Sequence, residues 1–396
     1  MISKSCKNFI RWQSVAGVLT ILAVVLGTVA AATGHGSWYA LIREPVLSVS
    51  FGAANMGKPV VSWINQVLAT VVLLVAGLEC KRAFMERELI GPDRLWLPAI
   101  GAVGGLLASA AVYLVVVGSG SGMEPGWVAS LGTDMALGLA VLSWLGERVP
   151  DALKSFFVSI SVFTLLGSVA MAAAVQESLP VWSVLGLAGA CLALLAAMSL
   201  SRVESISAYL AVGAGLWAVL VETGALAVLA GPLTALFIPV RNREQTGSPL
   251  VGLEQDLLPT VCCMVAPLLA MANAGFFPQG ASGASVMAPL TLGMLLSLFP
   301  AKAAGIFGIC WIGVRLRLCA LPAGVGWKEF GGAVLLGGAG FTVNVFLGTF
   351  VAAPEGAAAN EIRLAALAAS TFSLASGYFV LRYALARRRN KVIQRI

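Results

Sequence analysis

The chain contains 396 residues, of which 59% are hydrophobic and only 11% are charged, and its formal net charge is +7. Soluble domains carry about 25% charged residues, so this composition excludes a water-soluble enzyme. It also excludes a nucleic-acid-binding domain, because such domains present a basic stripe on a soluble surface. The sequence has no Walker-type nucleotide loop. We therefore expect no nucleotide-driven activity and no cofactor.

Apolar runs separated by charged residues or by Pro and Gly predict an all-α membrane protein. A helix needs about 20 apolar residues to cross a bilayer. On that basis we expect twelve transmembrane helices in a single domain covering residues 1–396. The predicted spans are 15–33, 60–80, 96–117, 126–146, 151–175, 181–200, 206–221, 223–240, 257–275, 287–310, 328–351 and 362–385.

The positions of Lys and Arg support this span count, because cytoplasmic loops are enriched in both residues. With the N-terminus in the cytoplasm, nearly all basic residues outside the spans fall on the cytoplasmic side. Only Arg43, Lys58 and Arg363 fall on the opposite side. This pattern predicts that both termini are cytoplasmic. The surplus positive charge then faces the anionic inner leaflet and requires no nucleic-acid partner.

The loop between spans 1 and 2 is long for a connector. Residues 46–52 alternate partly between apolar and polar side chains, and Pro45 and Pro59 flank them. Such alternation is typical of a strand. We expect a small extracytoplasmic β-hairpin here, and the alternative is an irregular loop.

Spans 3–5 and spans 10–12 form two triplets with opposite orientation in the membrane. The middle span of each triplet contains glycine within its apolar run, in residues 131–134 and 337–342. Interrupted helices at matching positions of inverted repeats are typical of transporters with a site near the membrane midplane. We therefore expect a core of two inverted repeats, with helix backbone interrupted at Gly132, Gly340 and Thr342. The remaining spans would form an interface bundle.

Two charged residues lie deep inside predicted spans. A lone carboxylate such as Asp134 costs about 2.5–3.5 kcal/mol at the bilayer centre. That cost indicates a proton or cation site, and the alternative is a structural counter-charge for helix ends. For Lys302, the open roles are a proton carrier and a fixed charge facing the partial negative ends of broken helices.

Four residues with uncharged side-chain oxygen atoms interrupt otherwise apolar segments. They are Thr133, Thr164, Thr342 and Asn344. We interpret them as auxiliary ligands for sodium, a hard cation. For Thr164, a hydroxyl bonded to the carbonyl one turn back is the favoured alternative. The cysteines show no metal-ligand spacing and His35 is the only histidine in the sequence, so transported sodium is the one metal ion expected.

Two carboxylates lie at the cytoplasmic ends of spans. Glu79 ends span 2, and Glu254 precedes span 9. A funnel lined by such residues would collect cations. The alternative is a carboxylate that is solvated or paired at the membrane surface.

Several short motifs occur in order along the chain. They are Gly77-Leu78-Glu79-Cys80-Lys81-Arg82, Thr133-Asp134-Met135-Ala136, Gly146-Glu147-Arg148-Val149-Pro150, Ala272-Asn273-Ala274-Gly275, Ala301-Lys302 and Gly340-Phe341-Thr342. Together they resemble the NhaA-type sodium/proton antiporters of bacterial inner membranes, from about Trp38 to the last span. The resemblance implies a twelve-helix fold in which spans 4 and 11 are unwound and cross in mid-membrane. Asp134 and Lys302 would balance the dipoles of these helices.

The same resemblance implies a function and an assembly. The chain would exchange external protons for internal sodium or lithium, with activation at alkaline pH, and so contribute to pH and sodium homeostasis. The hairpin after span 1 would support a homodimer. These expectations add a substrate class and a partner to what the residues alone indicate.

The chain departs from this family at residues central to ion exchange. Span 5 of the family carries an adjacent Asp-Asp pair that binds the cation and the protons. The matching positions here are Thr164 and Leu165. A histidine that belongs to the family's pH response is replaced by Leu226.

Three functional hypotheses remain open. The first is a divergent sodium/proton antiporter in which Asp134 binds cation and proton competitively. Thr133 and Thr164 would then be ligands, Lys302 a counter-charge or proton carrier, and the stoichiometry lower than the family's. The second is a non-exchanging relative that acts as an ion sensor or membrane partner. The third is a carrier of another solute on the same scaffold, such as an organic anion that pairs with Lys302.

Overall fold

The structure is a computed structural model of the single chain. It describes residues 4–32, 46–51, 54–88, 93–118, 123–175, 182–223, 225–240, 248–274, 287–350 and 357–393. Parts of some predictions lie outside these ranges: the strand residue 52 and the span residues 33, 181, 224, 275 and 351.

The described chain is mainly helical. The α-helices are α1 (Lys4–Ala32), α2 (Val60–Glu88), α3 (Asp93–Val117), α4 (Met135–Trp144), α5 (Asp151–Val175), α6 (Trp182–Leu200), α7 (Ile206–Leu220), α8 (Ala225–Phe237), α9 (Pro249–Thr260), α10 (Ala266–Ala274), α11 (Pro289–Leu296), α12 (Lys302–Arg315), α13 (Trp327–Leu336), α14 (Phe341–Gly348) and α15 (Ala357–Ile393). Turns of π-helix join α9 to α10 at Val261–Val265 and α11 to α12 at Ser297–Ala301.

Two short strands precede α2. Strand β1 (Val46–Phe51) pairs antiparallel with β2 (Ala54–Pro59), with Val46 opposite Pro59 and Phe51 opposite Ala54. The Trp63 indole in the first turn of α2 donates a hydrogen bond to the Leu47 carbonyl at 3.2 Å. The extracytoplasmic position of these strands stays a prediction.

The lengths of the helices bear on the predicted span count. Among the described residues, nine helical segments are long and apolar enough to cross a membrane. Helices α13 and α14, which bend by 42° at their junction, make a tenth. Helices α7 and α8 have 15 and 13 residues. At 1.5 Å per residue they reach roughly 20 Å, short of a hydrocarbon core of about 30 Å. The structure thus supports nine or ten spans, and the number twelve is not confirmed.

The described chain divides into two compact units. Unit 1 comprises Met1–Leu19, Ala83–Ser168 and Pro278–Ile396, and unit 2 comprises Thr20–Arg82 and Val169–Phe277. Both predicted triplets belong largely to unit 1.

In unit 1, α3 and α12 approach until their backbones touch. A Cβ atom on Gly104 would lie 2.7 Å from the Gly305 carbonyl oxygen, and one on Gly305 would collide with the Gly104 carbonyl. Close packing at small residues is the usual way in which membrane helices associate. Nearby, Ser109 Oγ donates a hydrogen bond to the Ser297 carbonyl at 3.0 Å. This contact places Lys302, the first residue of α12, inside unit 1.

In unit 2, polar side chains join helices within an apolar core. Asn65 on α2 and Asn273 on α10 exchange reciprocal amide hydrogen bonds of 3.1 Å, and both are buried. Lys81 Nζ donates to the carbonyls of Leu236 and Ile238 at the end of α8, at 2.5 and 2.6 Å. A cation at this position stabilises the negative end of the helix dipole.

Candidate functional site

The first helix interruption lies at residues 131–134. A 3₁₀ helix (Glu124–Ser130) ends before it, and α4 begins after it. Asp134 has extended backbone angles and is the N-cap of α4. Its carboxylate accepts hydrogen bonds from the amides of Ala136 at 3.2 Å and Leu137 at 3.5 Å. Aspartate at an N-cap satisfies amides that lack a helical partner. The break therefore holds a buried carboxylate, with its side chain directed at a helix N-terminus.

The second interruption separates α13 from α14 at residues 337–340. Its carbonyl groups accept hydrogen bonds from the first interruption. The Asp134 amide donates to the Ala339 carbonyl at 2.8 Å, and the Thr133 hydroxyl donates to the Gly337 carbonyl at 2.9 Å. Unpaired backbone groups are costly inside a membrane, so each break supplies partners that the other lacks.

Glycine is required where the two breaks cross. A Cβ atom on Gly340 would lie 2.5 Å from the Gly132 carbonyl oxygen and 2.6 Å from the Asn344 amide nitrogen. A Cβ atom on Gly132 would collide with the Asn344 side-chain oxygen. The structure thus brings together the backbone residues expected at the two interruptions.

Lys302 is completely buried on the carbonyl side of the first break. Its Nζ atom donates hydrogen bonds to the carbonyl oxygens of Leu131 at 2.6 Å and Gly132 at 2.5 Å. These carbonyls follow the C-terminal end of the 3₁₀ helix, which carries partial negative charge. Among the described residues no ion pair joins Lys302 to a carboxylate. The geometry matches a fixed charge at the end of a broken helix.

The neutral side chains of the candidate site fall into two groups. Thr133 donates across the breaks, whereas the Thr164 hydroxyl donates to the Ile160 carbonyl of its own helix at 2.7 Å. Thr342 lies close enough to Asp134 for its hydroxyl to interact with the carboxylate. Its oxygen nevertheless has no hydrogen bond of good geometry within the described chain. The Thr342 hydroxyl therefore lies beside the carboxylate, whereas the Thr164 hydroxyl donates within its own helix and keeps its oxygen lone pairs as acceptors.

The structure gives stronger evidence than the sequence does that Asn344 belongs to a binding site. It is completely buried, and neither its side-chain oxygen nor its nitrogen has a hydrogen-bond partner among the described residues. Buried polar atoms without partners are rare in native proteins and require an explanation. Ser370 was not expected at the site at all, yet its hydroxyl accepts a hydrogen bond from the Gly340 amide at 3.1 Å. In the sequence, the one indication of this role was the presence of a serine in a largely apolar stretch of α15.

Helix α5 presents neutral groups where the resembling family carries two acids. Thr164 and Leu165 are both buried. Ser161 and Ser168 lie one turn to either side of them and are buried as well. Within the part of the chain that the structure describes, Asp134 is consequently the buried acid at the crossing.

Glu79 and Glu254 meet within unit 2 around Arg82, whose pairing no sequence pattern indicated. Arg82 Nε donates to Glu254 Oε2 at 2.8 Å, and Arg82 also donates to Glu79. All three side chains are at most 5% exposed. This differs from carboxylates lining an open funnel, because both acids are enclosed and share one guanidinium group. Burial of a charge is tolerated when it is paired in this way.

Comparison with known proteins agrees with this geometry. The sequence pattern of the family described as Na+/H+ antiporter 1 matches residues 7–381. The chain belongs to the Na+/H+ antiporter 1 family. The predicted resemblance to NhaA-type antiporters is thereby confirmed.

Individual members of the Na+/H+ antiporter 1 family match nearly the whole chain. The Na(+)/H(+) antiporter NhaA of Pseudomonas putida GB-1 is 35% identical over 386 residues, covering 97% of this chain and 98% of the relative. The Na(+)/H(+) antiporter NhaA 1 of Syntrophotalea carbinolica is 36% identical over 391 residues, covering 98% of each chain. The Na(+)/H(+) antiporter NhaA of Yersinia pseudotuberculosis serotype O:1b is 35% identical over 389 residues, again covering 98% of each. Membership in this family makes the chain a multi-pass membrane protein and a transporter, not an enzyme.

Proposed function

We propose that this chain exchanges sodium or lithium for protons across the bacterial inner membrane, driven by the proton gradient, and so contributes to pH and sodium homeostasis. The observation that carries the proposal is the buried Asp134 carboxylate at the crossing of two interrupted helices. A carboxylate in this position binds either a proton or a cation, and the two compete for the same oxygens. Membership in an antiporter family supports the same conclusion.

The surroundings of Asp134 suit a reversible cation site. The amides of Ala136 and Leu137 donate hydrogen bonds to the carboxylate, and a cation that loses water needs a negatively charged partner. Thr133 and Thr342 place hydroxyl oxygens beside the break, and Asn344 adds an unpartnered amide oxygen. Sodium is the substrate here and would share these oxygens with the carboxylate. Thr164 stays a candidate ligand, because donating its hydroxyl proton to Ile160 leaves its oxygen lone pairs in place, as it does for Thr133.

Lys302 acts in this proposal as a fixed counter-charge. Its two hydrogen bonds to Leu131 and Gly132 occupy the ammonium group at the negative helix end. The role of proton carrier would require those bonds to break in each cycle. With one buried acid at the crossing, the exchange carries one proton for each sodium and is electroneutral.

We also propose an architecture around the site that is more detailed than the described helices show. It has twelve spans with both termini in the cytoplasm, and spans 3–5 and 10–12 form the inverted repeats of one transport domain. Two interruptions at matching places and the distribution of Lys and Arg support it. We further propose that β1 and β2 form an extracytoplasmic hairpin within a homodimer. Glu79 and Glu254 would lie at the cytoplasmic ends of their spans.

The test is sodium-driven proton movement in vesicles containing the purified full chain, with sodium, lithium and potassium compared. We expect exchange by the native chain and none above background for Asp134→Asn. A matched carboxylate-to-amide control is Glu204→Gln, on an exposed loop, which should exchange normally. Full exchange by Asp134→Asn would contradict the mechanism.

Because the acid pair is missing, an alternative function must be tested. In this alternative the chain is a non-exchanging relative that senses ions or binds a membrane partner. It predicts no exchange by the native chain and new exchange when Asp replaces both Thr164 and Leu165. A carrier of an organic anion would instead show uptake that depends on Lys302. The hydrogen bonds of Lys302 to two carbonyls disfavour it as an anion ligand.

A further inference from the structure

A groove of about 580 Å³ lies within unit 1, between the first half of α1 and the corner where α4 meets α5. Charged side chains occupy one end of it: Arg11 on α1, with Asp151 and Lys154 at the start of α5. Apolar side chains form most of the remaining wall, among them Val15 and Val18 of α1. The groove is therefore amphipathic along its length.

The floor of the groove is closed by direct helix contact. Ser14 Oγ of α1 lies 2.5 Å from Ser143 Oγ of α4. One turn further along α1, a Cβ atom on Gly17 would collide with the Ala136 carbonyl. The groove is thus a surface feature of unit 1, and protein separates it from the crossing at Asp134.

The charged and apolar parts lie at different depths. Val18 follows Arg11 by seven residues of α1, which corresponds to roughly 10 Å along the helix axis. Trp144 lines the groove at the end of α4 and is 63% exposed. Exposed tryptophan is typical of the membrane–water interface. In a membrane-spanning chain, the charged end then meets lipid headgroups and the apolar wall meets acyl chains.

We propose that this groove binds one anionic phospholipid, with the phosphate between Arg11 and Lys154 and an acyl chain along Val15 and Val18. The two cations and Asp151 leave one net positive charge, which complements a single phosphodiester. A soluble phosphate would leave the apolar wall uncovered, whereas an acyl chain covers it. The proposal rests on the groove alone and is independent of ion exchange.

The test is native mass spectrometry of the full chain in detergent, titrated with phosphatidylglycerol or phosphatidylcholine. We expect one phosphatidylglycerol to bind more tightly than any phosphatidylcholine. Each basic side chain near the surface contributes about 1 kcal/mol. The double variant Arg11→Gln/Lys154→Gln should therefore weaken the first binding event about thirtyfold. Both side chains are at least partly exposed, so the substitutions leave the core intact.

Two further variants make the test specific. Val18→Trp fills the apolar part and should weaken binding with the charges unchanged. Arg148→Gln/Lys328→Gln removes the same charge from exposed sites outside the groove and should bind as the native chain does. Equal binding of the two lipids, or native affinity in Arg11→Gln/Lys154→Gln, would overturn the proposal. Full competition by soluble glycerol phosphate would overturn it as well, since the acyl chain would then contribute nothing.

Discussion

The Nζ atom of Lys302 lies 2.5 Å from the carbonyl oxygen of Gly132, and its other hydrogen bond goes to the adjacent carbonyl of Leu131. The Asp134 carboxylate, two residues further on, faces the amides of α4. The positive charge of Lys302 thus stabilises the negative end of the 3₁₀ helix. The negative charge of Asp134 stabilises the positive end of α4. The unwound backbone at the crossing is held by this pair of opposite charges.

Removing the positive charge of Lys302 should mainly lower the stability of the helix crossing. We expect Lys302→Met to lower the free energy of unfolding by about 2–3 kcal/mol, since hydrogen bonds to charged groups contribute about 1.5–3 kcal/mol. Lys302→Arg should restore part of the loss. Thermal unfolding in detergent measures both. Unchanged stability together with abolished exchange would instead make Lys302 a proton carrier.

The crossing should tolerate no side chain at Gly340. A methyl group there would lie 2.5 Å from the Gly132 carbonyl oxygen, so Gly340→Ala should force the breaks apart and strongly reduce both stability and exchange. Gly189→Ala is the matched control, because a Cβ atom on Gly189 meets no atom within 4 Å. Thermal unfolding and vesicle exchange are the measurements. Normal behaviour of Gly340→Ala would mean that the two backbones are further apart than described.

Arg82 should be the most sensitive member of the ionic cluster in unit 2. Arg82→Gln leaves two buried carboxylates without their shared cation, and breaking a buried pair costs about 3–5 kcal/mol. We expect a large loss of thermal stability. Replacing Glu79, Arg82 and Glu254 together with Gln should recover most of it, because no buried charge then remains. A triple variant as unstable as Arg82→Gln would show that the cluster stabilises by more than charge pairing.

A single buried acid at the crossing has an electrical consequence. Exchanging one proton for one sodium moves no net charge, so the exchange rate should not change with membrane potential. A net charge would gain about 2.3 kcal/mol per 100 mV. Vesicles clamped with a potassium gradient and valinomycin provide the measurement. The variant Thr164→Asp/Leu165→Asp adds two acids to Asp134, so it should exchange more than one proton for each sodium and become voltage-dependent. Voltage-dependent exchange by the native chain would contradict the single-acid mechanism.

The two breaks were predictable, because glycine inside an apolar run is a local signal, and at the first break Asp134 adds an N-cap residue. The hydrogen bonds from Thr133 and Asp134 to residues 337–339 were not, since they join segments about 200 residues apart. The same holds for Arg82, whose partner Glu254 is remote in sequence. Local patterns identify interruptions and buried charges, whereas the pairing of those charges depends on the tertiary fold.

The amino-acid composition predicted the presence of membrane helices better than it predicted the lengths of those helices. Helices α7 and α8 are apolar enough to be counted as spans, yet they are shorter than a straight crossing requires. Apolar runs report which residues avoid water. They do not report where a 3₁₀ turn such as Val221–Thr223 ends a helix.

The central claim is that one carboxylate, Asp134, binds sodium and the proton in turn. The most direct measurement is the number of protons released when sodium is added to the purified chain in weakly buffered detergent solution. The account predicts about one proton for each sodium bound by the native chain, and none for Asp134→Asn. Two protons for each sodium, or undiminished release by Asp134→Asn, would contradict it.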